Sequence, residues 1–311
     1  MMIVARLALL VQIASAFQAH APFSTRTKFA PLQATPTDAV ETLAKSQAAT
    51  IEKIKSTISD LETKPDFTWK GNDVMVDSCA ATLDALDAAG PSNIAWLSSL
   101  YVDDKMSSLQ IFNGPLNDVP HFVSRCVVVG TDKLRLTIDY RPRAYGAYEM
   151  RKPDGSYPGP DELGRKSFEY SGARLDYDKK FGTEEVKEFL SSIPLEGAVP
   201  CDVAPSELDK LTRGPLFTCL DMPLTDANVA AVAAAREKAA DYWLTWSQEP
   251  EHEHRPGAPI NSQYVYDTKY KQNAYGALMG EYTALFGADS GKELAIGDSG
   301  PLDEAYVGGA S

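Results

Sequence analysis

Phe112–Arg143 reads FNGPLNDVPHFVSRCVVVGTDKLRLTIDYRPR, and this stretch decides the fold. It holds two short runs rich in apolar and β-branched residues, Phe122–Val129 and Leu134–Tyr140, separated by Gly130-Thr131-Asp132. So short a connection cannot house a crossover helix, so the two runs are antiparallel neighbours. Leu134, Leu136 and Ile138 alternate with Arg135 and Thr137, which puts one face of the second strand in the core and the other towards water. Upstream, Ile94–Val102 and Ser107–Asn113 have the same character, with Asp103-Asp104-Lys105 and Asn113-Gly114-Pro115 as their breaks. Downstream, Leu216–Leu220 reads as one more short strand.

The flanks are helical. Val40–Leu61 places Leu43, Ile51, Ile54, Ile58 and Leu61 on one face. Val74–Ala89 reads as a second helix, closed by Gly90-Pro91. Arg141–Asp178 is rich in turns. Thr183 opens a helix with Glu184 and Glu185 in its first turn, the sign a helix N-terminus favours. Thr225 or Asp226 caps a long helix to about Gln248, Glu249–Pro259 is a polar connector, and a last helix runs from about Ser262 to Phe286, stopped by Gly287. The fold class is therefore α+β: an α/β/α sandwich with a central antiparallel sheet flanked by helices.

The first 37 residues contain no Asp or Glu. Arg6 and the apolar run Leu7–Ala14 have the layout of a signal peptide over 1–16, and the basic, hydroxyl-rich stretch that follows reads as a transit segment over 17–36. Ala14-Ser15-Ala16-Phe17 resembles the cleavage junction of two-part presequences that route proteins into plastids with extra outer membranes, so the expected location is the plastid stroma. One domain is expected over 37–297 and a disordered, Gly-rich tail over 298–311. Without Arg6, Arg26 and Lys28 the chain has 27 basic residues against 43 acidic ones, which argues against a nucleic-acid partner. No later stretch is apolar for about 18 residues, so no stable membrane insertion is expected.

P-loop, dinucleotide-binding, nucleophile-elbow and zinc-protease motifs are absent. His252 and His254 have no other His or Cys near them in sequence, which favours a solvated loop over a metal site. Cys79, Cys126, Cys201 and Cys219 are scattered without a metal spacing and read as free thiols rather than a disulfide framework.

Within Phe112–Arg143, Asp118-Val119-Pro120-His121-Phe122 and Asp139-Tyr140-Arg141-Pro142 resemble paired motifs of the ferredoxin-dependent bilin reductases, a family that includes red chlorophyll catabolite reductase. Gly214-Pro215-Leu216-Phe217, Ala239–Trp246, Lys271–Leu278 and Leu285-Phe286-Gly287 resemble further segments in the same order. The likeness spans about Trp96 to Phe286 and implies an antiparallel sheet between helical layers. It also implies a linear tetrapyrrole held between the sheet and the C-terminal helices, with no tightly bound cofactor. Reduced [2Fe-2S] ferredoxin supplies single electrons there and pocket carboxylates supply protons. A monomer is expected.

At the family's strand acid this chain has Arg125, and the acid of the C-terminal helix falls near Gln272. A guanidinium does not donate protons at neutral pH. The proton donors that remain are His121, Asp139 and Asp267. Arg125, Arg141, Arg143, Gln272 and Asn273 are the candidate pigment-binding residues, since a site for two propionates needs cations. The alternative is a member that binds or carries a tetrapyrrole without reducing it. Lys133–Lys187 is slightly basic in an acidic chain, the pattern of a docking face for an acidic redox partner, with Arg141, Arg143, Lys179 and Lys180 as its cations.

Overall fold

The computed structural model describes residues 34–76, 78–90, 92–115, 117–143, 177, 179–201, 205–249 and 260–302. The expected presequence up to residue 33, most of the Arg141–Asp178 loop, His252 and His254, and tail residues 303–311 lie outside that set.

Helix α1, Pro36–Thr57, begins where Thr35 accepts a hydrogen bond from the Asp38 N–H. Pro36 fits the first turn because no intrahelical donor is needed there. Nine strands follow among the described residues: β1 Glu62–Thr63, β2 Trp69–Val76, β3 Cys79–Ala88, β4 Ile94–Val102, β5 Met106–Asn113, β6 His121–Val129, β7 Lys133–Arg141, β8 Val199–Pro200 and β9 Thr218–Pro223. The helices after β7 are α2 Glu184–Ser191, α3 Glu207–Thr212, α4 Asp226–Ser247, α5 Ile260–Phe286 and α6 Ala288–Ser299. All described strand pairs are antiparallel, in the order β1-β3-β4-β5-β6-β7-β9-β8, with β2 also on β3.

The β6–β7 register pairs Phe122 with Tyr140 and Ser124 with Ile138, so Leu134, Leu136, Ile138 and Tyr140 share one face. That face packs in one apolar cluster with Leu43, Ile51 and Ile54 of α1 and Val232, Ala239 and Trp243 of α4. The opposite face carries Leu83, Trp96, Leu100, Met106 and Phe112, packed with Tyr270, Ala274, Leu278 and Tyr282 of α5 and Leu294 of α6. Helices thus cover both faces, as the α/β/α sandwich requires.

Four expectations need correction. The segment read as a helix from Val74 to Ala89 is the β2–β3 pairing, with Ser78 at φ 69° in the turn between Val76 and Cys79. Its alanines suit a helix locally, but Ala81, Leu83 and Ala85 alternate into the core against α5 and α6, and tertiary packing overrides propensity. The face of β7 expected to meet water is largely buried: Thr137, Asp139 and Arg141 lie under helical cover. The last strand starts at Thr218 rather than Leu216, because Phe217 N–H closes a turn onto the Gly214 carbonyl. Asp298 and Ser299 are not tail residues but the buried end of α6.

Candidate functional site: a buried polar seam beneath α5

Residues opposite one another in an antiparallel sheet share a face, and so do alternate residues of one strand. The register therefore puts Ser108 and Gln110 of β5, His121, Val123 and Arg125 of β6, and Thr137, Asp139 and Arg141 of β7 on the face beneath α5. Polar side chains that deep must find partners. They form two clusters with one row between them.

The first cluster lies under the N-terminal half of α5. His121 Nδ1 accepts the backbone N–H of Asn113 at 2.9 Å, so the ring proton sits on Nε2, 3.7 Å from an Asp267 carboxylate oxygen. A cationic ring would lose the Asn113 bond. Burial, and then the charges of Arg143 and Arg141, hold the His121 pKa well below the usual histidine value. Asp267 is gripped by Arg143, whose Nε donates at 2.9 Å and whose Nη2 makes a second, shorter bond. Arg143 also donates to the carbonyls of Gly114, at 2.6 Å, and Asn117, at 3.0 Å. It thereby pins the loop that leads into β6. The Tyr270 ring lies 4.7 Å from that of His121, and its hydroxyl donates to the Thr212 carbonyl at the end of α3, 2.9 Å away.

Asp139 is fully buried. Its Oδ2 accepts from Arg141 Nε and from the Gly214 N–H, each at 3.0 Å. Its Oδ1 has no hydrogen-bond partner among the described residues. Burial raises the Asp139 pKa, and the opposing pull of Arg141, the Gly214 N–H and Arg213 does not cancel it. Gly214 is required here: a Cβ would lie 2.6 Å from the Tyr140 carbonyl oxygen and 2.7 Å from Asp139 Oδ1.

The second cluster lies under the C-terminal half of α5. Asp298, from the end of α6, accepts from Ser98 and Ser108 hydroxyls at 2.8 Å, from Gln110 Nε2, and from the Tyr282 hydroxyl at 2.5 Å. Arg125 pairs with Glu281 at 2.6 Å and reaches the Tyr282 hydroxyl at 3.4 Å. Burial opposes the Arg125 charge, but Glu281, Tyr282 and Asp298 outweigh it and raise its pKa.

Three buried polar atoms have no partner among the described residues: Gln110 Oε1, Arg125 Nε and Asp139 Oδ1. Gln110 and Asp139 both pair with Val123, from either side, and Arg125 is two residues along β6 on the same face. All three side chains therefore lie on the face beneath α5, and Asp139 Oδ1 lies beside Gly214. At the β4–β5 end a cavity of about 210 Å³ opens beside it, lined by Phe112, Asn113, His121, Asp267, Thr268 and Lys271 among others. Asp139 and Arg125 are not among the residues that line it.

The structure thus brings His121, Asp139, Asp267, Arg125, Arg141 and Arg143 beneath one helix. It does not bring Gln272 and Asn273 there. At about 100° per residue, the stripe Tyr270–Ala274–Leu278–Tyr282 faces the sheet and both of these point well away from it. Gln272 lies one turn before Gly276, whose own contact is Leu208 of α3. Arg141 and Arg143 are buried in ion pairs rather than displayed on a docking face. Lys180 is partly exposed and pairs with Asp118 at 2.9 Å, and Lys179 is exposed. Sequence reasoning missed Gln110, Tyr270, Tyr282, Glu281 and Asp298. Ser108 and Gln110, alternating with Leu109 and Ile111 along β5, were the available signal.

The fold and seam define a class: an antiparallel sheet between two helical layers, with ionisable groups buried under the C-terminal helices. No family model and no curated protein matches the chain. A solved structure that shares this fold is phytochromobilin synthase from tomato in complex with biliverdin. It covers 82% of each chain at a TM-score of 0.53 and 14% sequence identity.

Proposed function

We propose that this protein is a ferredoxin-dependent reductase of a linear tetrapyrrole, a bilin or an open-chain chlorophyll catabolite, working in the plastid stroma. The pigment would lie in the seam between the sheet and α5, the region the sequence resemblance implies and the side of the sheet where unpartnered polar atoms gather. The observation that carries the reading is Asp139: a fully buried carboxyl on the face beneath α5 whose pKa is raised by burial and whose Oδ1 has no hydrogen-bond partner among the described residues.

Reduction of one double bond of a conjugated pigment takes two single electrons and two protons, one proton for each new C–H or N–H bond. A carboxyl with a raised pKa supplies it near neutral pH. Neutral His121, with its proton on Nε2, is placed to hydrogen-bond a lactam carbonyl, and the Asn113 N–H on Nδ1 fixes that tautomer. Arg125 and Arg141 would pair with propionates, exchanging part of their present ion pairs for ligand carboxylates. The cavity of about 210 Å³ is smaller than the roughly 300–1,000 Å³ of typical ligand sites, so α5 must shift outward for a tetrapyrrole to enter fully.

A second reading, a carrier that does not reduce its pigment, is favoured by one feature. Arg125, on the strand beneath the helix, is a permanent cation salt-bridged to Glu281 and cannot serve as an acid. One experiment separates the two. Protein is mixed with biliverdin, reduced [2Fe-2S] ferredoxin is added, and spectra are followed for wild type and Asp139→Asn. The reductase reading expects a binding shift for both and turnover in wild type, with the variant slowed about 10²–10⁴-fold. A shift without wild-type turnover selects the carrier. No shift at all refutes both readings, and equal turnover in the two proteins refutes the donor role of Asp139.

A further inference from the structure

The edge of the sheet places two thiols side by side. Strands β8 and β9 pair Val199 with Asp221 and Pro200 with Leu220. One step further along the same register sets Cys201 opposite Cys219, and the Cys201 N–H donates to the Cys219 carbonyl at 3.0 Å. Residues paired by such a backbone bond have Cα atoms about 5.5 Å apart, inside the ~4.4–6.8 Å range that a disulfide spans. Both side chains are partly exposed, and the Cys219 thiol is in hydrogen-bond contact with that of Cys201. The Cys219 thiol lies on the Thr137 face of the sheet, where it accepts from the Thr137 hydroxyl at 3.7 Å, and the partial exposure of both cysteines at the sheet edge leaves the pair open to a small disulfide. Cys126, by contrast, is buried.

The segment between the two cysteines leads to the seam. It contains α3, whose terminal Thr212 carbonyl holds the Tyr270 hydroxyl, and Gly214, whose N–H holds Asp139. We propose that Cys201 and Cys219 form a reversible cross-strand disulfide that clamps the 201–219 segment to the sheet edge and so steadies the Tyr270 and Asp139 contacts.

The chemistry is thiol–disulfide exchange with a low-molecular-weight disulfide. One cysteine thiolate attacks the oxidant's S–S bond and forms a mixed disulfide, expelling one thiolate. The second cysteine then displaces the other. The two cysteines lose two protons and two electrons, and the oxidant becomes two thiols. Burial, and then the contact with Cys201, push the Cys219 thiol up to about 12.

The test uses the full chain and oxidised glutathione as the probe. After oxidation, free thiols are alkylated and the digest is mapped by mass spectrometry, with hydrogen exchange of residues 205–216 measured in parallel. The expected result is a linked Cys201–Cys219 peptide pair that dithiothreitol reverses, with Cys79 and Cys126 still alkylated. Exchange in 205–216 should slow at least several-fold on oxidation, and Cys201→Ser should abolish both changes. Full alkylation of Cys201 and Cys219, stable glutathione adducts on both, or linkage to Cys79 overturns the pairing. A bond that forms without slowing that exchange overturns the clamp.

Discussion

Asp139 and His121 sit two register steps apart on one sheet face, yet their surroundings push them in opposite directions. Asp139 is deprived of water and keeps its proton to higher pH. His121 is deprived of water between two guanidinium groups and sheds its proton at lower pH. The signs give separate pH signatures. A raised acid pKa means that the donor is present below it and is lost as pH rises through it. Turnover should therefore decline on the alkaline side, and that decline should vanish from the residual activity of Asp139→Asn, as a pH profile of kcat/KM would reveal. For His121 the folded pKa is depressed. Its contribution to stability is complete above about 6.5, the ordinary histidine value, and is lost as pH falls below it. Over that acidic limb wild type should lose up to ~1.4 kcal/mol per pH unit relative to His121→Gln, measurable by urea unfolding at pH 5 and pH 7. Parallel curves for the two proteins would show that His121 is not buried neutral. Both residues were legible in sequence as candidate donors. Their protonation was not, because it depends on Asn113, Arg141, Arg143 and Gly214, which only the fold brings near.

The strands from β4 to β7 could be read from the chain because their alternation and turn residues agree with their packing. β3 could not: an alanine-rich run with a helical spacing becomes a strand only because α6 lies close against it. A Cβ on Gly297 of α6 would meet the Trp69 ring at 2.5 Å and Leu83 at 2.8 Å. Gly297→Ala should thus cost about 1–3 kcal/mol through overpacking against a rigid aromatic and a core strand. The helix itself is not signalled in the sequence, where Gly287 stops the preceding helix, Gly291 and Gly297 interrupt the segment that follows, and the Gly-rich tail is expected from Asp298. Its main anchor is Asp298, which takes four side-chain hydrogen bonds from β4, β5 and α5. Truncation to Ala would leave Ser98, Ser108, Gln110 and Tyr282 without their shared acceptor. We expect a loss of about 2–4 kcal/mol by denaturant unfolding. A loss below ~0.5 kcal/mol would mean that α6 is held by apolar contacts alone.

Across the whole molecule the two helical layers differ in kind. The α1–α4 side is largely apolar, with one polar knot in which Arg236 is held by Ser107, Ser124 and Gln47 and its pKa falls to about 10 through burial. The α5–α6 side concentrates carboxylates, guanidinium groups and a histidine, and it includes the three unpartnered polar atoms. That asymmetry places the candidate site on one side of the sheet. Among the described residues no helix is long and apolar enough to cross a membrane. The central claim is that a linear tetrapyrrole occupies the seam beneath α5, and it is tested most directly by absorbance titration with biliverdin of wild type and Arg125→Ala, both first checked for native circular dichroism. The account predicts a saturable, one-to-one spectral shift for wild type, and binding weakened by about 1.5–3 kcal/mol in the variant through loss of a charged hydrogen bond. Absence of a saturable shift in wild type, or equal affinity in the two folded proteins, would contradict it.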